Sequence, residues 1–276
     1  MAERQGPKVY SIAAHRGFAD ALVAGLVPRY ADDEFGLAPL QPVVPSSRAR
    51  RTISEAFIRH AGEQGTPGLL MPRMAVVGDL DLDETLGPLL DPLGAADIPR
   101  AIEPQRRLFA LARLIADTMG DEAPGGATLL RLARETGATM DRLLVEGVGP
   151  EELVGESVLD LFGSLSDHWQ RSLHLFATVQ AKWLEQLQQW DALDAAARRN
   201  RLFDWAAARW RAAPPETPIV AAGVTSAAPS LARLLRVVAD CDQGAVILPD
   251  FDLTMPQAVW DELGRAGATP EPGATP

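Results

Sequence analysis

Sulfur chemistry is nearly absent from this sequence. Its one cysteine, Cys241, excludes a disulfide framework and any multi-cysteine metal or iron–sulfur cluster built from this chain alone, and it fits a reducing compartment. Lysine is almost as scarce. Only Lys8 and Lys182 occur in 276 residues, so arginine carries nearly all the positive charge. No apolar run reaches the length of about 18 residues that a membrane span needs, and the first residues contain no apolar signal-peptide core. The expectation is a cytoplasmic protein with no membrane partner. A net charge of −11 argues against a broadly basic coat for nucleic acid. It leaves room for a local basic track, because phosphate contact depends on local charge.

The chain is otherwise ordinary for a folded protein, at 47% hydrophobic and 23% charged residues, and it is long enough for one or two domains. Four short apolar runs read as strands: 8–14, 41–44 closed by Pro45, 218–222 closed by Gly223, and 245–248 closed by Pro249. They are apolar on both faces and followed by helices, the pattern of a covered parallel sheet. The helix after the first run places Phe18, Leu22 and Leu26 on one side. The next places Ala49, Ile53, Ala56 and Phe57 inward. After the third, a helix starting at Pro229 and Ser230 buries Leu231, Leu234, Leu235 and Val238.

From about 97 to 212 no strand signal occurs. Leu108, Leu111, Ala112, Ile115 and Met119 make one helical stripe, and Leu129, Leu132, Ala133, Met140, Leu143 and Leu144 another, with Gly137 as its weak point. Trp169, Leu173, Phe176, Gln180, Trp183, Leu187 and Trp190 alternate in steps of four and three, which predicts the seam of packed helices. A seam buries its rings, so this stripe reads as core rather than as a base-stacking platform. Leu202, Trp205 and Ala206 follow on the next helix. The order is βαβα, a helical block, then βαβ. The expected organisation is a sheet lobe over 1–95, a helical insertion over 96–214, the rest of the sheet lobe over 215–263, and a disordered Gly/Pro/Thr-rich tail over 264–276.

Two strand-to-helix turns stand where nucleotide chemistry would be placed. In a phosphate-binding loop the first carries G-x-x-x-x-G-K-[ST]. Here it reads His15-Arg16-Gly17-Phe18-Ala19-Asp20, with one glycine and no lysine. The turn after the third strand reads Gly223-Val224-Thr225-Ser226, without the acidic pair that would hold Mg²⁺ and orient water. His15, Arg16, Gly17 and Gly223 therefore mark a degenerate nucleotide site. Two losses at corresponding turns point to a scaffold whose motor function is retired.

Other segments remain open. Pro45-Ser46-Ser47-Arg48-Ala49-Arg50-Arg51 joins a strand end to a helix start. Ser46 or Ser47 can cap the helix, and Arg48, Arg51 and Arg59 fall opposite its apolar stripe. That is either a solvated helix face with ordinary caps or a phosphate contact. Asp79-Leu80-Asp81-Leu82-Asp83-Glu84 resembles the start of a calcium loop but has Glu84 at its sixth position and Leu90 at its twelfth, so it reads as a solvated acidic loop. Asp250 and Asp252 follow a strand end, where a carboxylate pair could hold Mg²⁺, yet no lysine, Gly-rich loop or nucleophile accompanies them. The four histidines have no metal-ligand spacing, and Cys241 reads as a structural thiol. No catalytic residue, metal or cofactor is expected.

Several runs together carry a resemblance. They are Val43-Val44-Pro45-Ser46-Ser47-Arg48-Ala49-Arg50, Leu69-Leu70-Met71-Pro72-Arg73-Met74, Gly78-Asp79-Leu80-Asp81, His168-Trp169-Gln170-Arg171-Ser172-Leu173, Ala197-Arg198-Arg199-Asn200, Ala222-Gly223-Val224-Thr225-Ser226 and Gly244-Ala245-Val246-Ile247-Leu248-Pro249. Each is loose; in this order and spacing, up to about Glu262, the chain resembles the N-terminal region of the AddB family in its alphaproteobacterial form. The resemblance implies an α/β fold: a RecA-like (P-loop NTPase-like) parallel-sheet lobe interrupted by a helical insertion lobe, as in superfamily 1 helicases. It implies one subunit of an ATP-dependent helicase/nuclease complex that resects double-strand DNA breaks for homologous recombination. It implies a partner, an AddA-like motor/nuclease subunit in a heterodimer. Many members of the family have lost their ATPase motifs in this lobe and use it to hold and scan single-stranded DNA for a hotspot sequence. The family's nuclease and its cysteine-bound cluster lie far downstream and are not assigned to this chain.

By the same resemblance Ser46, Ser47 and Arg48 occupy a segment that touches single-stranded DNA, and Arg73 matches a second contact segment. Arg51, Thr225 and Ser226 join them as candidate contacts. Where some relatives carry an aromatic residue shortly after that arginine, this chain has Ala75-Val76-Val77. Two other expectations stay open: a purely architectural module that docks the motor subunit, and a Mg²⁺-dependent α/β enzyme using Asp250 and Asp252.

Overall fold

A computed structural model describes residues 6–32, 34–65, 70–78, 85–94, 96–149, 167–226, 228–252 and 254–266, with the side chains of 167–169 outside that set. The acidic run Asp79–Glu84 and the Trp169 ring therefore lie outside the described residues.

Five strands form one parallel sheet: β1 (Val9–Ile12), β2 (Gln41–Val44), β3 (Ala75–Val76), β6 (Ile219–Ala222) and β7 (Gly244–Pro249), in the spatial order β1-β7-β6-β2-β3. The register sets Val9 beside Val246, Val220 beside Ala245, Val43 beside Ala221 and Val43 beside Ala75. The protein is thus α/β with a parallel sheet. The first and third strand runs belong to the same sheet, with β7 lying between them.

Side chains alternate along each strand, so each face has its own core. Val44, Val76, Val220, Ala222 and Ala245 face α1 (Phe18–Tyr30) and α2 (Ser47–Glu63), where Leu22, Val23, Leu26, Ile53 and Phe57 are buried. Val43, Ala75, Ile219, Ala221 and Val246 face the other way. They meet α3 (Leu86–Leu90), α7 (Ala195–Ala212) and α8 (Pro229–Asp240), with Phe203, Ala206, Trp210, Leu231, Leu234 and Val238. Continuous apolar strands are needed because helices cover both faces. Pro229 opens α8 at a position whose N–H needs no partner. Lys8 closes the far end of α8, donating from Nζ to the Cys241 and Asp242 carbonyls at 3.2 and 2.7 Å.

The helical block holds α4 (Pro104–Met119), a short 3₁₀ turn (Gly120–Glu122), α5 (Gly126–Glu146) and α6 (Asp167–Gln189). Their core is separate from the sheet's and includes Leu111, Ile115, Ala133, Met140, Val179, Trp183 and Leu187. The expected seam on α6 is buried at Gln180, Trp183 and Leu187, and Trp190 meets Trp183 edge-on at 6.1 Å beyond the helix end. Gly137 is no weak point. It lets α4 approach α5, since a Cβ there would stand 3.2 Å from Leu111 Cδ1.

Three elements differ from the sequence reading. The block contains a two-stranded parallel ribbon, β4 (Arg100–Ala101) with β5 (Ala192–Leu193), which joins its entry to its exit. Pairs of two residues leave no periodicity to detect. The helix α7 places Leu202, Phe203, Ala206 and Trp210 in the sheet's core, so the chain returns to the sheet layer before its Pro-rich joint. Helix α9 (Gln257–Ala266) runs through Gly264 and Arg265, where a disordered tail was expected, and residues 267–276 lie outside the described set. No helix among the described residues is long and apolar enough to cross a membrane.

Candidate functional site

Because all five strands are parallel, the segment after each one emerges on the same edge of the sheet, where open α/β sheets place their ligands. In spatial order this carboxyl edge carries His15-Arg16-Gly17 after β1, Asp250 and Asp252 after β7, Gly223, Thr225 and Ser226 after β6, then Ser46, Ser47 and Arg48 after β2, with Gly78 beyond β3.

Around β1 the turn bonds to itself, and a cavity of about 670 Å³ beside it is lined by Val9, Thr225, Ser226, Pro249 and Phe251. Ala13–Arg16 forms a turn, Arg16 N–H donating to the Ala13 carbonyl at 3.0 Å. Gly17 precedes α1 in extended conformation with no side-chain cap. The first turn of α1 holds Asp20, an anion at the end of the helix that would attract phosphate. Asp20 is paired with Arg59 Nη2 at 2.5 Å. Gly223 lies in the left-handed region at φ +70°, and a Cβ there would stand 3.3 Å from Phe18 Cε1. The Phe18 ring thus lies between the turns after β1 and β6.

Asp250 and Asp252 are engaged locally. The Asp250 N–H donates to the Ile12 carbonyl at 2.8 Å, and its Oδ1 accepts from Ala14 N–H at 3.2 Å. Phe251 N–H donates to Ser11 Oγ at 2.8 Å. Asp252 Oδ1 accepts from both the hydroxyl and the N–H of Thr254, at 2.6 and 2.9 Å, and these bonds hold its carboxyl below the ordinary carboxylate range. Among the described residues no group of three or more His, Cys, Asp or Glu side chains could hold a metal ion.

The half around β2 is open. Ser46 caps α2: its backbone is extended and its Oγ accepts from Ala49 N–H at 3.2 Å. Ser47, Arg48 and Arg51 are exposed, and among the described residues neither arginine has an ion-pair partner. Arg59, on the same helix, is taken up by Asp20. Strand β6 neighbours β2, and Thr225 and Ser226, exposed on its turn, line the cavity shared with Val9, Pro249 and Phe251. Ser226 Oγ accepts from Ala228 N–H at 3.3 Å and shapes the entry to α8.

Arg73 is elsewhere. It precedes β3, and the register that pairs Val43 with Ala75 puts Arg73 level with Gln41, at the amino end of the sheet. There it lines a cavity of about 480 Å³ with Gln41, Thr85, Arg209, Trp210 and Thr217. The structure therefore gathers Ser46, Ser47, Arg48, Arg51, Thr225 and Ser226 on one edge and leaves Arg73 at the other.

Two residues that shape the open half stood in the runs that carry the resemblance but were given no role there. The buried Arg199, on α7, donates from Nη1 to the Gly78 carbonyl at 3.4 Å. Gly78 packs so closely on Pro45 that any Cβ would overlap the Pro45 carbonyl. A glycine two residues beyond the strand was the available signal for that close approach; nothing local marked Arg199. No protein-family model matches this chain, and comparison with curated proteins finds no match.

Proposed function

We propose that this chain is a helicase-like module that holds single-stranded DNA along the carboxyl edge of its sheet and hydrolyses no ATP. It would serve as the N-terminal, RecA-like part of an AddB-type subunit of a double-strand-break repair helicase–nuclease, beside an AddA-like motor subunit. The sequence resemblance supplies the family. The observation that carries the rest is the division of one edge into two unlike halves. Where a nucleotide would sit, the Phe18 ring lies against Gly223, Asp20 occupies the first turn of α1, and no lysine is present. At the start of α2, Arg48 and Arg51 stand exposed beside the hydroxyl of Ser47, and Thr225 and Ser226 lie on the turn of the adjacent strand β6. Unpaired guanidinium groups and hydroxyls are the usual partners of a phosphate backbone, and they fix position rather than sequence. Arg73 lies outside this set, so the reading rests on the α2 start alone.

Anisotropy titration of a labelled oligothymidylate at several salt concentrations tests it. Arg48→Ala with Arg51→Ala is expected to weaken binding and flatten the salt dependence by about 0.7 in log–log slope per lost contact. Mg²⁺-ATP is expected to change nothing. Unaltered affinity and slope in the double variant rule the reading out. The architectural reading is favoured by Phe109, 61% exposed on α4, and Leu184 on α6. It predicts capture of the motor subunit in the absence of DNA, lost on Phe109→Asp.

A further inference from the structure

The three-helix lobe and the sheet have separate apolar cores with no residue in common. Hydrophobic burial is non-directional, so two bodies with separate cores need some other contact to set their relative orientation. The C-terminal end of α5 supplies one: Val145 packs on the sheet's core, and Asn200 Nδ2 donates to the Leu144 carbonyl at 2.7 Å. The second contact is polar and buried, and it lies at the joint where the chain leaves the lobe. Asp194 sits between β5 and α7 and is 2% exposed. Arg107, on α4, stands over it, with Nε 2.7 Å from Asp194 Oδ1 but off-axis for a straight hydrogen bond. The same guanidinium donates from Nη1 to Asp141 Oδ2 on α5 at 2.8 Å, and from Nη2 to the Gly137 carbonyl at 3.3 Å. Trp183 Nε1, on α6, donates to both Asp194 oxygens at 3.2 and 3.0 Å. One arginine and one carboxylate thus tie α4, α5, α6 and the start of α7 together.

We infer that Arg107 is a clasp that fixes the angle between the helical lobe and the sheet, with residues 190–194 as the hinge it holds shut. A buried ion pair adds little net stability over an apolar replacement, so what Arg107 adds here is assigned to orientation. Guanidinium is suited to this because its planar fork directs two hydrogen bonds, to Asp141 and the Gly137 carbonyl, while the same charge stands over Asp194. The ribbon of β4 and β5 lies at the same place, Ile102 N–H donating to the Leu193 carbonyl at 2.8 Å, so opening the clasp would loosen that bond first. The inference is independent of the DNA reading and concerns the lobe's attachment alone.

Hydrogen exchange on the full chain, with Arg107→Lys as the principal variant and Arg107→Ala beside it, tests the clasp. Lysine keeps the charge and most of the apolar stem, so the lobe retains its fold. The expected result is exchange roughly tenfold or more faster at the Ile102 and Arg198 amides, with Ile115, Met140 and Val246 unchanged. Spin labels at Thr139 and Glu55, both exposed, are expected to give a broadened distance distribution in Arg107→Lys. Unchanged exchange at Ile102 with an unchanged distribution overturns the inference. So does equal acceleration in lobe and sheet, which would make Arg107 a general stabiliser with no hinge to hold.

Discussion

The ring of Phe18 packs on the backbone of Gly223, so that a Cβ at residue 223 would lie 3.3 Å from its Cε1. Gly223 also has φ +70°, a conformation that costs an L residue about 1–2 kcal/mol. Gly223→Ala is therefore expected to destabilise the chain by roughly 1–3 kcal/mol in urea unfolding. Combining it with Phe18→Ala separates the two causes. The steric share disappears in the double variant and the backbone share remains, which a double-mutant cycle reads as a coupling energy. Strict additivity would show that the ring does not press on the turn.

Gly78 offers a sharper case. Its backbone lies so close to the Pro45 carbonyl that an alanine forces the turns after β2 and β3 apart. Gly78→Ala is expected to lower the melting temperature clearly and, because it moves the start of α2, to weaken single-strand binding as well. Gly65, at φ +63° with open space around its missing side chain, is the control. Its alanine variant carries the backbone strain alone and leaves binding intact.

The Ser46 cap can be separated from the proposed phosphate contacts. Ser46→Ala removes an N-cap hydrogen bond and is expected to cost about 1 kcal/mol of stability. Arg48→Ala and Arg51→Ala remove exposed charges that have no ion-pair partner among the described residues, and are expected to stay within about 0.5 kcal/mol of the parent. Chemical denaturation distinguishes them. A large loss on removing either arginine would mean that it serves the fold.

Asp194 makes stability depend on pH in an unusual direction. Burial pushes its carboxyl above the ordinary value of 3.8, a rise that Arg107, Trp183 Nε1 and their hydrogen bonds only partly oppose, with Asp141 adding to it. Between the unfolded and folded pKa the native state keeps a proton that the unfolded state has released, so stability falls as pH rises. The contribution is fully present below the unfolded value and is lost as pH climbs through the folded one. The stability difference between the parent and Asp194→Asn is accordingly expected to decline from about pH 4 upwards and then level off. Urea titrations across that range check this. A difference that grows with pH would mean that the ion pair to Arg107 outweighs burial.

What could be read from residue order was whatever rests on local pattern. Short, mostly apolar runs marked β1, β2, β6 and β7, because a strand covered on both faces shows little polar side, although β1 at the sheet edge keeps Val9 and Tyr10 exposed. Repeats of three and four residues marked α4, α5 and α6, and the Ser46-Ser47 pair at the mouth of α2 announced a cap, which the structure assigns to Ser46. The missing lysine and carboxylates at the two turns were equally plain, since an absent residue needs no coordinates to be noticed. Folding in three dimensions settled what depends on contacts far apart in the chain. It set Arg73 and Arg48 at opposite ends of the sheet, since only the register of β3 on β2 says which end precedes the strand. It also gave Asp20 to Arg59, laid Phe18 on Gly223, and brought Arg107 to Asp194 across 87 residues. No periodicity encodes such pairings, because each is decided by how whole helices pack and by which buried charge can find a partner when they do.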